Sequence, residues 1–399
     1  MRRLRLLTAG ESHGPAVSGV LEGLPYGLRV STEQVNRDLR RRQHGYGSGR
    51  RMLIEKDEVV WMGGLRFGRT LGSPLAFRID NLDWATWQEK MTVDRLPARG
   101  RPRAVTLARP GHADLAGAIK YDTQDVRDVL ERASARSTAV RVLAGAVCRQ
   151  LLSAVGIGVW SYVEQVGRVK AFPDAEDSLA CIPEGWPASD LADPSPLRCP
   201  DPAAEARMIA EVDAAAEAGD SVGGQFVVVV TGLPVGLGSA AEWDTRLDGA
   251  LAAALMAIPA VKAVAVGDGF NVAAKRGSDV HDEVDTDSTG WTRRTNRAGG
   301  IEGGMSNGMP LVLRVAVKPV STLRKPLESV DLVTGQPGRA HIERSDIAIM
   351  PRAAIVGEAM TALVLADALL TSFGGDTMAD LQAAVTRRRR REKRPVADA

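Results

Sequence analysis

The spacing of apolar and polar positions changes period several times along the chain, and each change marks an element. Residues 3–7, RLRLL, alternate Arg with Leu as a half-buried strand does and stop at Thr8-Ala9-Gly10. Residues 16–30, AVSGVLEGLPYGLRV, read as strand and turn. A helix is predicted to begin near Ser31, whose spacing to Gln34 suits a capping box ahead of TEQVNRDLRRR. Further strands are predicted at 75–79 (LAFRI), 225–232 (QFVVVVTG), 262–267 (KAVAVG) and 311–318 (LVLRVAVK). Helical stripes run over 138–156, 201–219, 244–258 and 352–370. In the second of these, Asp201 caps the start, Pro202 takes the first helical position and Gly219 stops it.

These elements follow one another without a repeating strand–helix–strand rhythm. The pattern therefore predicts a mixed α/β (α+β) fold with largely antiparallel sheets flanked by helices, rather than a doubly wound parallel sheet. Two stretches break the periodicity. Residues 277–296, GSDVHDEVDTDSTGWTRRTN, are polar and read as an exposed loop or lid. Residues 386–399, TRRRRREKRPVADA, are a like-charge block expected to form a disordered basic tail behind one large domain at 1–385.

No apolar run reaches the roughly 18–20 residues of a membrane span, and TALVLADALL at 361–370 is interrupted by Asp367. The N-terminus has too short an apolar stretch for a secretory signal. Cys148, Cys181 and Cys199 are odd in number and lack a CxxC, which predicts neither a disulfide framework nor a zinc site. A cytoplasmic location is the expectation. The formal net charge is +2, too small to call for a nucleic-acid partner, so any positive field must be local.

Local clusters carry the candidate chemistry. Glycines gather beside polar residues in TAGESHG (8–14), HGYGSG (44–49), VGDGFN (266–271) and NRAGGIEGGMSNG (296–308). Such loops let backbone N–H groups approach an anion, yet none is a Walker loop or a dinucleotide fingerprint. Arginines gather at Arg40, Arg41 and Arg42, at Arg50 and Arg51, at Arg132 and Arg136, and at Arg344. Converging guanidiniums suit a ligand with several carboxylates or phosphates, although the 40–42 run alone also fits a solvated helix face. His13 in ESHG and His112 in RPGHAD occupy turns, where an imidazole can hand a proton to a departing oxyanion. Asp346 follows Arg344, which would keep its carboxylate ionised. Lys318 to Thr322, KPVST, leaves a strand end, a place for a phosphate contact or for an ordinary corner. These residues describe an enzyme that holds polyanionic small molecules and uses histidine acid chemistry; they do not fix the reaction.

Taken in order, GESHG (10–14), RRRQHGYGSGRRM, RPGHAD (109–114), ERASARSTAVR (131–141), GDSVGG (219–224), AVAVGDGF (263–270), NRAGGIEGGMSNG (296–308), KPVST (318–322) and RSD (344–346) resemble chorismate synthase. The resemblance extends from residue 8 to about residue 375 and implies a β-α-β sandwich and the last step of the shikimate pathway. In that step 5-enolpyruvylshikimate 3-phosphate loses phosphate and a ring proton to give chorismate, with reduced FMN required and no net redox change. It also implies a homotetramer, and an external reductase or reductant, with NADPH as the indirect source. The substrate's two carboxylates and phosphate, beside the FMN phosphate, would account for local arginines in a nearly neutral chain.

By motif, His13 resembles the family's general acid near the departing phosphate. His112 resembles the histidine near flavin N1, and Asp346 the carboxylate near flavin N5. Flavin contacts are implied for Arg132, Ala133, Ser134, Pro259, Ala260, Gly303, Lys318, Pro319, Val320, Ser321, Thr322 and Arg344. Arg42 matches the arginine assigned to substrate or nicotinamide phosphate, with Arg51 and Arg136 as further candidates. Ser48 stands where the family usually has a second arginine, for which Arg50 or Arg51 would have to substitute. Two other readings are a flavin oxidoreductase and an arginine-rich nucleic-acid-binding protein. The 4% aromatic content leaves the latter little stacking surface.

Overall fold

A computed structural model of the chain describes residues 3–49, 56–94, 100, 102–172, 192–287, 290–343 and 346–393. Two antiparallel sheets enclose a layer of helices, and every paired strand in them is antiparallel. The first sheet has Ala16–Glu22 between Arg5–Ala9 and Leu75–Asp80, with Val60–Gly63 at its far edge. The second is centred on Gly224–Thr231, whose run QFVVVVT is flanked by Leu311–Val317 and Gly158–Val166. Val261–Val266 and Val169–Lys170 form its edges.

The helical layer explains why so many small residues sit in the two longest apolar helices. Thr138–Ser153 packs beneath the first sheet, where Gly19 lies so near that an added Cβ would meet Val140 Cγ1 at 2.7 Å. Met350–Phe373 packs beneath the second, where Gly357 leaves room for the Phe226 ring. The helices meet at Gly145, whose Cβ would stand 2.4 Å from Ala359 Cα. One apolar cluster, from Leu4 to Val385, fills the space between these layers. Met350–Phe373 is long and apolar enough to cross a membrane, but it is mostly buried here and carries Arg352, Glu358 and Asp367, as a core helix does.

Most predicted boundaries hold within a few residues. Thr32–Gln43 starts after Ser31, which accepts from Gln34 N at 3.3 Å. Pro202–Glu217 has Asp201 as its cap. Two expectations are corrected. The stretch 277–296 contains a short helix, Gly277–Val280, and a hairpin of Val284–Asp287 with Gly290–Arg293. Asp282 organises it by accepting from Thr295 Oγ1 and from the backbone of Arg297 and Ala298.

The basic tail is helical rather than disordered over 386–392, as part of Met378–Glu392. Charge repulsion in TRRRRR is offset because Leu381, Ala384 and Val385 bury an apolar face. Arg388 and Arg389 donate to Val235 O and Gly232 O, at 2.9 and 2.8 Å. Basic residues also interact favourably with the C-terminal end of a helix. Residues 394–399 lie outside the described residues.

Candidate active site

The first sheet, the helical layer and the strand ends of the second sheet surround a cavity of about 430 Å³. His13 and His112 both line it, with Arg42, Arg136, Asp346 and the segment carrying Lys318, Val320, Ser321 and Thr322. Ala133, Ser134, Pro259 and Ala260 complete the contribution of the motif residues. Among the described lining residues five are Arg or Lys (Arg42, Arg109, Arg136, Lys318 and Arg352) and two are Asp or Glu (Glu343 and Asp346).

His13 sits in the turn between the first two strands. Gly10 at φ +100° makes that turn, since a Cβ there would stand 2.3 Å from Ala16 O. Ser12 N donates to Glu131 O at 3.0 Å and Ser12 Oγ to Ser134 Oγ at 3.0 Å, which fastens the turn to the ERASARS segment. The His13 Nδ1 lies 2.8 Å from Glu131 Oε1, and its ring stacks on Trp87 with centroids 3.8 Å apart.

His112 is presented by a turn with Gly111 at φ +74°. Asp114, fully buried at the start of Asp114–Tyr121, accepts from His112 Nδ1 and from Arg109 Nε at 2.8 Å and Nη2 at 3.0 Å. Burial works to raise the Asp114 carboxyl, but these partners outweigh it and hold the group well below the usual carboxylate range. Arg109 Nη1 also donates to Thr322 Oγ1 at 3.2 Å, which joins the KPVST corner to this turn.

Arg42 and Arg136 on the cavity wall are held by Asp57. Its two oxygens accept from Arg42 Nη2 and Arg136 Nη1, each at 2.5 Å, and all three side chains are buried. Burial opposes ionisation of Asp57, yet the two guanidiniums keep its carboxyl below its ordinary value. Two cations sharing one carboxylate leave an excess positive charge facing the cavity. Asp346 accepts from Gly49 N at 2.7 Å and pairs with Arg352 at 2.7 Å. A guanidinium from the next helix thus helps to orient it. Among the described residues, Arg42 Nε and Arg352 Nε are buried without a hydrogen-bond partner.

Burial lowers the Lys318 pKa, with Lys262 adding to the effect. Ala260, one of the few non-glycine residues in the left-handed region at φ +70°, accepts from Lys318 N at 2.9 Å and so fixes where that strand end leaves the sheet.

Some expected residues stand elsewhere. Arg132 is exposed and does not line the cavity; its guanidinium donates to Thr8 O, Thr8 Oγ1 and Gly10 O at 3.0, 2.6 and 2.9 Å. It braces the turn that carries His13. Gly303 occupies the turn of the Ile301–Glu302 and Met305–Ser306 hairpin, and neither it nor Pro319 is among the cavity's lining residues. Arg51 and Arg344 lie outside the described residues, as does Arg50. Conversely, Glu131, Asp57, Asp114 and Arg352 were not singled out as candidates from the sequence. Asp114 is two residues from His112 and could have been, whereas Asp57 meets Arg136 across 79 residues and leaves no local trace.

The family model of chorismate synthase matches residues 4–370. A chorismate synthase of Symbiobacterium thermophilum is 53% identical over 380 residues, covering 94% of this chain and 96% of the relative. One of Thermobifida fusca is 51% identical over 385 residues, covering 94% and 96%. A crystal structure of a chorismate synthase superposes with a TM-score of 0.79 at 40% identity, covering 98% of this chain and 99% of the other. The arrangement of motifs, the sandwich and these likenesses agree, and the chain belongs to the chorismate synthase family.

Proposed function

We propose that the chain converts 5-enolpyruvylshikimate 3-phosphate to chorismate in the 430 Å³ cavity, with reduced FMN bound beside the substrate. The observation that carries this reading is the joint placement of His13 and His112 on one wall system rich in buried guanidinium. The cavity suits its two proposed occupants. The guanidinium side chains of Arg42, Arg136 and Arg352 on its wall suit anionic groups, and Leu130, Ile258, Ile349 and Val356 offer apolar surface to a flat ring.

Arg42 and Arg136 would hold the substrate's anionic groups, their own geometry fixed by Asp57. His13 would donate a proton to the phosphate oxygen as the ring carbon–oxygen bond breaks, so the leaving group departs as a less charged anion. His112, clamped by Asp114, would face the reduced cofactor, and Asp346 would be oriented toward it by Arg352 and Gly49 N. The Lys318–Thr322 corner and Ser134 would contact the cofactor's polar tail. A bound reduced flavin supplies electron density to the departing phosphate's carbon framework and a nitrogen base for the ring proton.

Further expectations complete the reading: NADPH as indirect reductant through an external reductase, a cytoplasmic enzyme and a homotetramer. Self-association, though not its stoichiometry, is supported by the outer face of the first sheet, where Leu7, Val20 and Met62 are 64%, 39% and 63% exposed and Leu7 pairs with Val20 across strands. Anaerobic incubation with reduced FMN and the enolpyruvyl substrate tests the reaction. Phosphate and the chorismate diene should appear together without stoichiometric oxidation of the reduced flavin. Reduced flavin oxidised mole for mole with product would instead indicate a flavin oxidoreductase.

A further inference from the structure

Both cavity histidines are backed by a buried carboxylate, and the one at His13 holds both the ring and the backbone of its histidine. Asp114 divides its charge between His112 and a bidentate Arg109. Glu131 holds His13 at both its ring and its backbone, with Arg127 as a second partner of Oε1. Its Oε1 lies 2.8 Å from His13 Nδ1, its Oε2 lies 3.1 Å from that nitrogen, and Oε2 also accepts from His13 N at 2.8 Å.

We propose that Glu131 is a positioning residue for His13, holding a proton on Nδ1 and fixing the ring so that Nε2 is the nitrogen offered to the reacting phosphate. The proposal rests on the reading of His13 as the proton donor, in which the transferred proton is the second one, carried on Nε2 of the imidazolium.

An ionised carboxylate only accepts hydrogen bonds, so the nitrogen facing it must be the protonated one. Burial alone would push the Glu131 carboxyl up, but His13 and Arg127 outweigh it and the group is held below its ordinary value. Arg127 lies 3.2 Å from Glu131 Oε1 and also pairs with Glu343 at 2.9 Å.

Ring rotation is restrained as well. Trp87 covers one face of the imidazole at an interplanar angle of 28°, and Lys90 and Arg127 lie 4.9 and 5.3 Å from the Trp87 ring centroid. A flipped ring would set a carbon against the carboxylate and lose the Nδ1 bond. With Nδ1 engaged on the buried side, Nε2 is the ring nitrogen directed away from Glu131.

Histidine-labelled ¹⁵N spectra of the full-length protein test this directly, with the His13 signals assigned by their loss in His13→Ala. Neutral His13 should show a protonated Nδ1 and an unprotonated Nε2, and Glu131→Gln should abolish that preference. Turnover of Glu131→Gln should fall about 10–100-fold, with KM changed by less than about threefold, as for carboxylates behind other functional imidazoles. Glu131→Asp should recover part of the loss.

A neutral wild-type ring that carries its proton on Nε2 rather than Nδ1 would overturn the proposal, and so would a tautomer or turnover that Glu131→Gln leaves unchanged. If that variant does not fold, the wild-type spectrum decides. His13→Ala with wild-type turnover would instead refute the reading of His13. Loss in His13→Ala with none in Glu131→Gln would remove only the role given to Glu131.

Discussion

Arg41 and Glu358, 317 residues apart in the chain, form a buried two-bond ion pair at 2.8 and 3.0 Å. Arg41 belongs to the helix that also carries Arg42, and Glu358 to the helix that carries Arg352. The pair thus ties together two elements that supply guanidiniums to the cavity. Arg149 at 3.0 Å and Arg198 at 3.3 Å join the same carboxylate, and Ser161 Oγ donates to it at 2.7 Å.

This network sets an acid limit on stability. Burial opposes ionisation of Glu358, but the surrounding guanidiniums prevail and bring its pKa to about 2, against 4.5 for the free side chain. A carboxyl depressed by folding stabilises fully above its unfolded value and loses that contribution as pH falls from about 4.5 toward 2. Glu358→Gln removes the carboxylate shared by Arg41, Arg149 and Arg198, which keep Asp38 or Asp193 as partners, and should cost about 1.5–3 kcal/mol at neutral pH. Denaturant melts should show that loss and a shallower decline across the acid range; an unchanged acid limb would exclude Glu358 as its source.

The contact between Gly145 and Ala359 gives a test of packing free of charge. An added Cβ at Gly145 would stand 2.4 Å from backbone and side chain of Ala359, with no flexible atom to yield. Gly145→Ala should therefore lower stability by about 1–3 kcal/mol despite the better helix propensity of alanine. Thermal melts check this, and a rise in midpoint would mean that the helices separate at little cost.

Arg42 should matter to substrate affinity more than to folding, because Asp57 retains Arg136 when it is removed. Loss of a charge-assisted contact of about 1.5–3 kcal/mol would raise KM for the phosphorylated substrate by about 10–100-fold in Arg42→Ala. Steady-state kinetics with excess reduced flavin measures it, and an unchanged KM would place the anionic groups elsewhere.

The two imidazoles should act on kcat. His13→Ala and His112→Ala should each slow turnover by about 10²–10⁴, the range of general acid–base groups. Wild-type turnover in either variant would remove that side chain from the chemistry.

Local physics made the elements legible. Ser31 and Asp201 cap helices as their positions predict, and the alternation in LVLRVAVK is the strand Leu311–Val317. The histidine turns were legible because glycine and polar residues surround them in sequence. What was not legible depends on distance. Asp57 is assigned its role by two arginines 15 and 79 residues away, and Arg352 reads as one charge in an apolar helix until Asp346 is seen beside it. Arg132 and Arg136 are one helical turn apart in sequence, yet the turn after Ala133 directs one side chain to Thr8 and the other to Asp57, which spacing alone does not reveal. The polar run at 277–296 concealed a hairpin because its backbone is organised by Asp282, not by apolar alternation.

The most direct test of the account is where the ligands sit. Crystals grown with oxidised flavin and the enolpyruvyl substrate should show both in the cavity of about 430 Å³, with the phosphate near Arg42 and His13 Nε2 and the flavin ring toward His112. Density for either ligand in the separate cavity of about 320 Å³ beside His281 and Arg297, with the first left to solvent, would contradict it.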